Sequence, residues 1–316
     1  MGDEGRRRSL ATVLVAGVAN LLIALAKLTA GVLSGSAAML AEGAHSVADT
    51  LNQVFLLAAL RRSDRPADAQ HPFGYGMERY FWALLAAVAI FVLGAGFSVF
   101  EGVHGLMHPE AQTELPLVFA VLGIAVLFDG TSLLRALWQV RREARSGGHG
   151  FGEQLFQLSE PTVRAVVFED SAGVSGVLLA ALGIGVGALT GRPVLDPIAS
   201  LLIGGVLVAI AYGLGAQNRT FLIGRAVTEE VLAEIRSDIE SSDGIESVVQ
   251  LLTMQLGPDE VLVAARVEMD PDAPGRDLEQ VADEVDERIR TSRPEVRHVF
   301  LDPTPARARH EGPTPG

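Results

Sequence analysis

Cysteine is absent from this chain of 316 residues. Disulfide bonds and thiolate ligands are therefore excluded, and a bound metal ion must be held by His, Asp, Glu or amide oxygen. Basic residues are also scarce, with 25 Lys and Arg against 38 Asp and Glu and a formal net charge of −13. This balance argues against a nucleic-acid partner, because phosphate binding needs clustered basic side chains. No nucleophile–base pair, phosphate loop or cofactor fingerprint is present, so we expect neither an enzyme nor a bound cofactor.

Long apolar runs occupy the chain up to about Gly215. Arginines precede the first run and follow the second, fourth and sixth, whereas the opposite loops carry only Arg192. By the positive-inside rule, both termini are cytoplasmic. We predict an α-helical membrane protein with six transmembrane helices, since six runs reach the roughly 20 residues that cross a bilayer: Leu10–Val32, Ala37–Leu60, Tyr80–Leu106, Leu115–Val140, Val163–Leu189 and Val194–Leu214.

Charged residues dominate after Arg225, where the pattern is that of a soluble domain. The order of predicted elements is α-β-β-α-β: Thr228–Ile239, Ser247–Leu256, Glu260–Met269, Asp277–Arg290 and Val296–Leu301. This order predicts a small cytoplasmic α+β domain of ferredoxin-like type, with both helices on one face of the sheet. We place a six-helix transmembrane domain at residues 1–217, the ferredoxin-like domain at 218–303 and a disordered tail at 304–316.

The second apolar run carries ionisable residues that membrane helices rarely contain. Glu42, His45, Asp49 and Asn52 fall at i, i+3, i+7 and i+10, so they share one helix face. An ionisable side chain at the bilayer centre costs about 2.5–3.5 kcal/mol. These residues therefore need either a partner or a function.

The fifth run supplies Glu169 and Asp170 at a similar depth. Together with His45 and Asp49 they can converge on one divalent cation at about 2.0–2.2 Å per bond, and a tetrahedral set of nitrogen and oxygen ligands suits Zn²⁺. The alternative is an interhelical hydrogen-bond network that only holds the bundle together. Adjacent residues point about 100° apart on a helix, so Glu169 and Asp170 need not both reach one ion.

Two further sets of polar residues leave two interpretations open. Lys27 in the first run and Asp129 in the fourth can pair with each other, or Asp129 can relay protons. Glu101, His104 and His108 lie at i, i+3 and i+7 near the outer end of the third run. They have ligand-like spacing, but they also fit an interfacial polar cluster.

Two sequence motifs occur in this chain together with a characteristic order of predicted elements. They are Ser34-Gly35-Ser36 ahead of Ala41–Asp49, the loop His71–Arg79, and six spans followed by the terminal domain. This combination resembles the cation diffusion facilitator family of metal transporters, and the resemblance covers nearly the whole chain. The amino-acid sequence of the loop also resembles that of a subgroup related to mitochondrial zinc transporters.

The resemblance implies a homodimer in the lipid bilayer that exports a divalent metal ion from the cytoplasm in exchange for protons, with the soluble domain as the dimerising module. We expect a location in a bacterial inner or plasma membrane. Zn²⁺ is the expected substrate. The alternatives are an exporter of Mn²⁺, Fe²⁺ or Co²⁺, or a membrane metal sensor or scaffold that does not transport.

The family's transport site maps onto His45 and Asp49, and His at the first position suggests zinc over manganese. Asp170 matches the second family position in span five. Val166, however, stands where the family has His or Asp. The resemblance therefore implies a site of His45, Asp49 and Asp170, with Glu169 as the substitute for the missing ligand.

A second family site, in the loop between spans two and three, maps onto Asp68 and His71. Both residues lie on a loop rich in Pro and Gly and are close enough in sequence to share an ion. In the terminal domain, only Asp302 stands at a position where the family has a metal ligand. We therefore expect this domain to dimerise without bound zinc.

Overall fold

A computed structural model describes residues 3–148, 150–155, 161–269 and 278–304. The chain divides into two units. One unit contains the residues up to Ala59 and Phe81–Asn218, and we call it the helical unit. The other contains Leu60–Tyr80 and the residues from Arg219 onwards, and we call it the sheet unit.

The predicted apolar runs lie in helices. In chain order these helices are α1 (Asp3–Ser34), α2 (Ala37–Ser63), α3 (Glu78–Ala89), α4 (Phe97–Met107), α5 (Leu115–Gly147), α6 (Phe151–Glu153), α7 (Pro161–Thr190) and α8 (Leu195–Gly224). A π-helical stretch, Ile90–Gly96, joins α3 directly to α4. Such stretches are rare and often occur at functional sites.

Five helical stretches within the described residues are long and apolar enough to cross a membrane. They lie in α1, in the continuous stretch α3–α4, and in α5, α7 and α8. This confirms a multi-pass helical membrane domain. The 27-residue helix α2 is not among the five, because Glu42, His45 and Asp49 lower its hydropathy. The number of six spans therefore stays a prediction.

Helices α1 and α2 approach closely at glycines. A Cβ atom placed on Gly43 would lie 2.6 Å from Leu28 Cδ2 and 3.1 Å from the Leu28 backbone nitrogen. A Cβ atom on Gly31 would lie 2.8 Å from Leu40 Cδ2. Small residues at such crossings let two helix backbones approach each other, and here they bring Lys27 of α1 next to the polar face of α2.

The start of α2 is held by a residue of another helix. Asp196, in the first turn of α8, is 1% exposed. Its carboxylate accepts hydrogen bonds from Ser36 Oγ at 2.7 Å, from Ala37 N at 2.7 Å and from Ala38 N at 3.3 Å. These bonds satisfy backbone N–H groups that lack partners in the first turn of a helix. Asp196 therefore acts as an N-cap from outside α2 and fixes where that helix begins.

The sheet unit contains α9 (Glu229–Glu240), β1 (Ile245–Gly257), β2 (Glu260–Met269), α10 (Leu278–Ser292) and β3 (Val296–Thr304). The strand order is β1-β2-β3, with β1 antiparallel and β3 parallel to β2. This is the predicted sequence of elements, whereas the ferredoxin-like topology stays a prediction. The predicted tail lies outside the described residues except for Thr304, which ends β3.

Both helices of the sheet unit contribute to one apolar core. The side chain of Thr228 caps α9 by accepting a bond from Val231 N, as its position in the sequence predicts. From α9 and α10, buried aliphatic side chains pack with those of the strands: Ile235, Ile239, Val281, Val285 and Ile289. The two helices consequently cover the same face of the sheet.

The segment Leu60–Tyr80 belongs to the same unit as the strands. The Phe73 ring lies 5.2 Å from the His298 ring of β3. A Cβ atom on Gly76 would lie 2.6 Å from the Leu256 carbonyl oxygen of β1. The loop between α2 and α3 thus packs directly on the sheet, and Gly76 is needed for the close contact.

Candidate metal site

The predicted pair on α2 lies inside the helical unit. His45 Nε2 and Asp49 Oδ2 are 3.6 Å apart, and the two side chains are 3% and 27% exposed. Neither ring nitrogen of His45 has a hydrogen-bond partner among the residues that the structure describes. Buried polar atoms are normally paired, so an imidazole left in this condition is free to bind a ligand.

The two acidic residues of α7 point in different directions. Asp170 Oδ2 is buried and finds no hydrogen-bond partner in the described part of the chain, while Ser132 of α5 hydrogen-bonds the same carboxylate. Glu169 Oε2 instead accepts a bond from Asn52 Nδ2 at 2.8 Å. The structure therefore leaves Asp170 available and engages Glu169 elsewhere. Val166 is 37% exposed and supplies no ligand atom.

A buried ion pair lies one helical turn from His45. Lys27 Nζ is 2.8 Å from Glu42 Oε2 and 4.0 Å from Asp129 Oδ2. The side chains of Lys27 and Glu42 are 1% and 0% exposed. The sequence left open whether Lys27 pairs with Asp129 or Asp129 relays protons; in the structure Glu42 is the nearer partner of Lys27. The sequence does place Glu42 on the same face of α2 as His45. It does not predict the contact between Glu42 and Lys27, because that contact depends on how α1 packs on α2.

Glycines on two other elements make room around His45. A Cβ atom on Gly173 of α7 would lie 3.3 Å from Asp129 Oδ2 and 3.6 Å from His45 Nε2. A Cβ atom on Gly94, within the π-helical stretch, would lie 4.0 Å from His45 Cα. Asp129 and the imidazole therefore face the same space beside Gly173, a relation that the sequence did not reveal.

These ligand-type residues do not form a complete coordination shell. In residues 3–148, 150–155, 161–269 and 278–304, no three His, Asp or Glu side chains lie together in an arrangement that could hold a metal ion. Asp170 lies within electrostatic range of Asp49 and Asp129, and His45 within range of Asp129. The four-residue site of His45, Asp49, Asp170 and Glu169 therefore stays a prediction.

The predicted loop pair lies in the sheet unit and is exposed. His71 Nδ1 is 3.5 Å from Asp68 Oδ1. Asp68 Oδ1 also accepts bonds from the backbone N–H groups of Gln70 and His71, and Asp68 Oδ2 accepts the Tyr75 hydroxyl at 2.7 Å. The bond from Tyr75 and those from the backbone lower the pKa of Asp68 to about 2. The same contact raises the pKa of the Tyr75 hydroxyl.

The structure also places the histidines of α4 and the aspartate of β3 that the sequence singled out. The rings of His104 and His108 are 4.9 Å apart at the exposed end of α4, and Phe100 stacks on His104. Asp302 in β3 is paired with Arg266, with Nε and Oδ2 2.8 Å apart. Asp302, which stands at a position where the family has a metal ligand, thus already has a cationic partner.

Comparison with known proteins adds independent information. The family model described as "Cation efflux transmembrane domain" matches residues 13–223, and the model described as "Cation efflux protein, cytoplasmic domain" matches residues 227–305. The chain is 34% identical over 258 residues to the "Proton-coupled zinc antiporter SLC30A9, mitochondrial" of Xenopus laevis, a match that covers 82% of this chain and 46% of that protein.

Two further relatives agree with this assignment. The protein of the same name from Homo sapiens is 31% identical over 295 residues, covering 92% of this chain and 51% of that protein. "Metal tolerance protein C4" of Arabidopsis thaliana is 33% identical over 258 residues, covering 82% and 56%. The chain spans about half the length of these curated relatives. With both domain models matched in order along its length, the chain belongs to the cation diffusion facilitator family of membrane transporters.

Proposed function

We propose that this protein exports Zn²⁺ across a membrane in exchange for protons, at a site between α2 and α7. The observation that carries the proposal is His45, whose two buried ring nitrogens lack hydrogen-bond partners in the described chain and whose Nε2 lies 3.6 Å from Asp49. The names of two relatives, each a proton-coupled zinc antiporter, support the same substrate and coupling.

The core of the proposed transport site is His45, Asp49 and Asp170, and Glu169 is the fourth ligand that the sequence predicts. Zn²⁺ binds imidazole only in its neutral form and carboxylates only in their ionised form. Protons therefore compete with the metal ion for the same atoms. Imidazole titrates near neutral pH, which suits His45 to release the ion when the site opens to a more acidic compartment. A single site that opens alternately to each side then couples the two flows.

We also propose that α2 is the sixth span, with both termini cytoplasmic. Its polar residues Glu42 and His45 are buried, whereas Val54 and Leu56 on the same helix are 54% and 38% exposed. This distribution is what a helix needs when its polar face lines the bundle interior and its apolar side meets lipid. Because the chain has no cysteine, single cysteines can be introduced into each loop, and labelling from one side of the membrane tests the topology directly.

For the terminal domain we propose a ferredoxin-like fold that forms a homodimer without bound zinc. The pairing of Asp302 with Arg266 supports the zinc-free part of this proposal, and the match of residues 227–305 to the family's cytoplasmic domain supports the rest. Light scattering of the detergent-solubilised protein, with and without a chelator, should give the same dimer mass. A monomer in the presence of chelator would contradict it.

Asp68 and His71 remain a proposed second site in the loop. Their Oδ1 and Nδ1 atoms are close, but an ion would have to displace the hydrogen bonds that Asp68 already accepts from Gln70, His71 and Tyr75. We therefore expect this site to bind Zn²⁺ more weakly than the membrane site. Zinc titration of His45→Ala isolates the loop contribution.

The decisive experiment is metal uptake by proteoliposomes under an imposed pH gradient. We expect Zn²⁺ uptake with accompanying proton flux, and we expect His45→Ala or Asp49→Ala to abolish both. His104→Ala is the matched control, because His104 is exposed at the end of α4. Unchanged flux in His45→Ala would refute the site. Preference for Mn²⁺, Fe²⁺ or Co²⁺ would favour the alternative substrates, and binding without flux would favour a sensor or scaffold.

A further inference from the structure

We infer that Asp129 of α5, rather than Glu169 of α7, supplies the fourth ligand of the transported cation. The inference rests on the proposed transport site and assigns its missing member. It brings a third helix into contact with the ion, so that α2, α5 and α7 each contribute.

Glu169 is poorly placed for this role. It follows directly before Asp170 on α7, so the two side chains leave the helix about 100° apart. Its Oε2 is held by Asn52 Nδ2 at 2.8 Å, whereas Asp170 Oδ2 is buried and unpaired within the described residues. Recruiting Glu169 would break the bond to Asn52 and turn the side chain back towards Asp170.

Asp129 faces the space that the imidazole also faces. A Cβ atom on Gly173 would come within 3.3 Å of Asp129 Oδ2 and 3.6 Å of His45 Nε2. Gly173 lies three residues after Asp170, on the same face of α7. The missing side chain at Gly173 thus leaves a gap bordered by a carboxylate oxygen and by an imidazole nitrogen that has no hydrogen-bond partner in the described chain.

The charges around this gap favour a cation. Lys27 and Glu42 form a close pair at 2.8 Å and balance each other. Asp49, Asp129 and Asp170 are then three carboxylates within electrostatic range of one another. Lys27 reaches Asp129 at only 4.0 Å. Uncompensated charges in a bilayer interior are costly, and a divalent ion bound by these three carboxylates and His45 would offset that cost with a tetrahedral set suited to Zn²⁺.

The distance to Lys27 leaves the Asp129 carboxylate able to turn towards a metal ion. Asp129 Oδ2 lies 4.0 Å from Lys27 Nζ, outside hydrogen-bond distance. With metal, the carboxylate turns towards the ion, and Lys27 keeps its 2.8 Å bond to Glu42. Binding of the ion by Asp129 therefore leaves the pair of Lys27 and Glu42 intact.

The test compares two isosteric substitutions in the full-length protein purified in detergent. We expect Asp129→Asn to weaken Zn²⁺ binding, measured by equilibrium dialysis, by about tenfold or more, and by more than Glu169→Gln does. With Co²⁺ as a spectroscopic probe, Asp129→Asn should also change the visible absorption of the bound ion, because a charged carboxylate ligand is replaced by a neutral amide. An unchanged Co²⁺ spectrum, or a larger loss in Glu169→Gln, would overturn the inference.

A second comparison separates a ligand from a charge partner of Lys27. In a Lys27→Met/Glu42→Met background there is no ammonium group for Asp129 to neutralise. If Asp129 binds the ion, Asp129→Asn still weakens Zn²⁺ binding in that background by about tenfold. If binding is restored to the level of the background protein, Asp129 acts only through Lys27 and the inference is wrong.

Filling the gap provides a test that keeps every ligand. Gly173→Ala should weaken Zn²⁺ binding, because its Cβ would occupy the space between Asp129 and His45. Gly185→Ala, on the same helix, is the matched control, since its Cβ would make an ordinary 3.4 Å contact with Phe119. Equal affinity in both variants would count against the inference, and this arm still decides the question if Asp129→Asn does not fold.

His45→Ala distinguishes a failure of the fourth-ligand assignment from a failure of the proposed transport site. If it abolishes the tighter Zn²⁺ binding while Asp129→Asn leaves that binding unchanged, only the assignment of the fourth ligand fails. If His45→Ala also binds Zn²⁺ normally, the proposed transport site itself fails.

Discussion

The buried pair of Lys27 and Glu42 makes the sharpest stability prediction. The atoms Nζ and Oε2 are 2.8 Å apart, the side chains are 1% and 0% exposed, and Glu42 Oε1 has no hydrogen-bond partner in the described chain. At an effective dielectric constant of about 20, their attraction is about 6 kcal/mol, much of which desolvation offsets. Removing one partner therefore leaves an unpaired buried charge, so we expect Lys27→Met alone to lower the free energy of unfolding by about 3–5 kcal/mol.

Removing both charges should cost much less. In Lys27→Met/Glu42→Met the pair is replaced by apolar side chains of similar length, and such replacements are often neutral or stabilising by about 1–4 kcal/mol. The assay is a double-mutant cycle of reversible unfolding in detergent, with the wild type, both single variants and the double variant. Independent sites add within about 0.3–0.5 kcal/mol. Additive effects within that margin would refute the claim that the two residues form one buried unit.

Three further predictions concern packing, capping and a loop carboxylate. Gly43→Ala should lower the free energy of unfolding by about 1–3 kcal/mol, because its Cβ would lie 2.6 Å from Leu28 Cδ2. Asp196→Ala should cost about 1–3 kcal/mol, because three donors at the start of α2 lose their acceptor; thermal unfolding measures both effects. Tyr75→Phe should raise the pKa of Asp68 from about 2, as carboxylate NMR can record. Because that pKa is depressed, the stabilisation by ionised Asp68 is present above its ordinary pKa near 3.8 and is lost as the pH falls towards 2.

Each of these has a control within the chain. Gly17→Ala tests the same helix crossing where a Cβ would make an ordinary 3.6 Å contact with Gln53, so equal losses at Gly17 and Gly43 would contradict the packing argument. Asp196→Asn keeps one side-chain oxygen as an acceptor for the donors at the start of α2 and should cost less than Asp196→Ala. Tyr212→Phe removes a hydroxyl from a residue that is 78% exposed and should leave the Asp68 titration unchanged.

Much of the architecture could be predicted because its signals are local. Apolar length locates the membrane helices, and alternation with turn residues such as those before Glu260 locates the strands. The cap at Thr228 follows from one residue and its position. Helix α2 is harder, since the residues that give it a function, Glu42, His45 and Asp49, are also those that lower its hydropathy.

The neighbours of His45 could not be predicted, because they come from other helices. Helical periodicity places Glu42 and Asp49 on the face of His45, but it says nothing about which helix packs there or at what height. The partner of Lys27 is decided by the glycine contacts between α1 and α2. The proximity of Asp129 is decided by the absence of a side chain at Gly173. Only three-dimensional packing reveals either contact.

The π-helical stretch Ile90–Gly96 bears on how this helix tolerates changes in length. Each hydrogen bond of a π-helix closes over five residues rather than the four of an α-helix. Deleting one residue there can convert the stretch to an α-helix while the residues after it keep their orientation around the helix axis. In the structure Ser200 Oγ donates a hydrogen bond to the Ser98 carbonyl oxygen at 2.8 Å, and this bond can then be kept. The same deletion within α7 would rotate every later side chain by about 100°. Insertions and deletions among natural variants of this chain should therefore collect at the π-helical stretch and be excluded from α7.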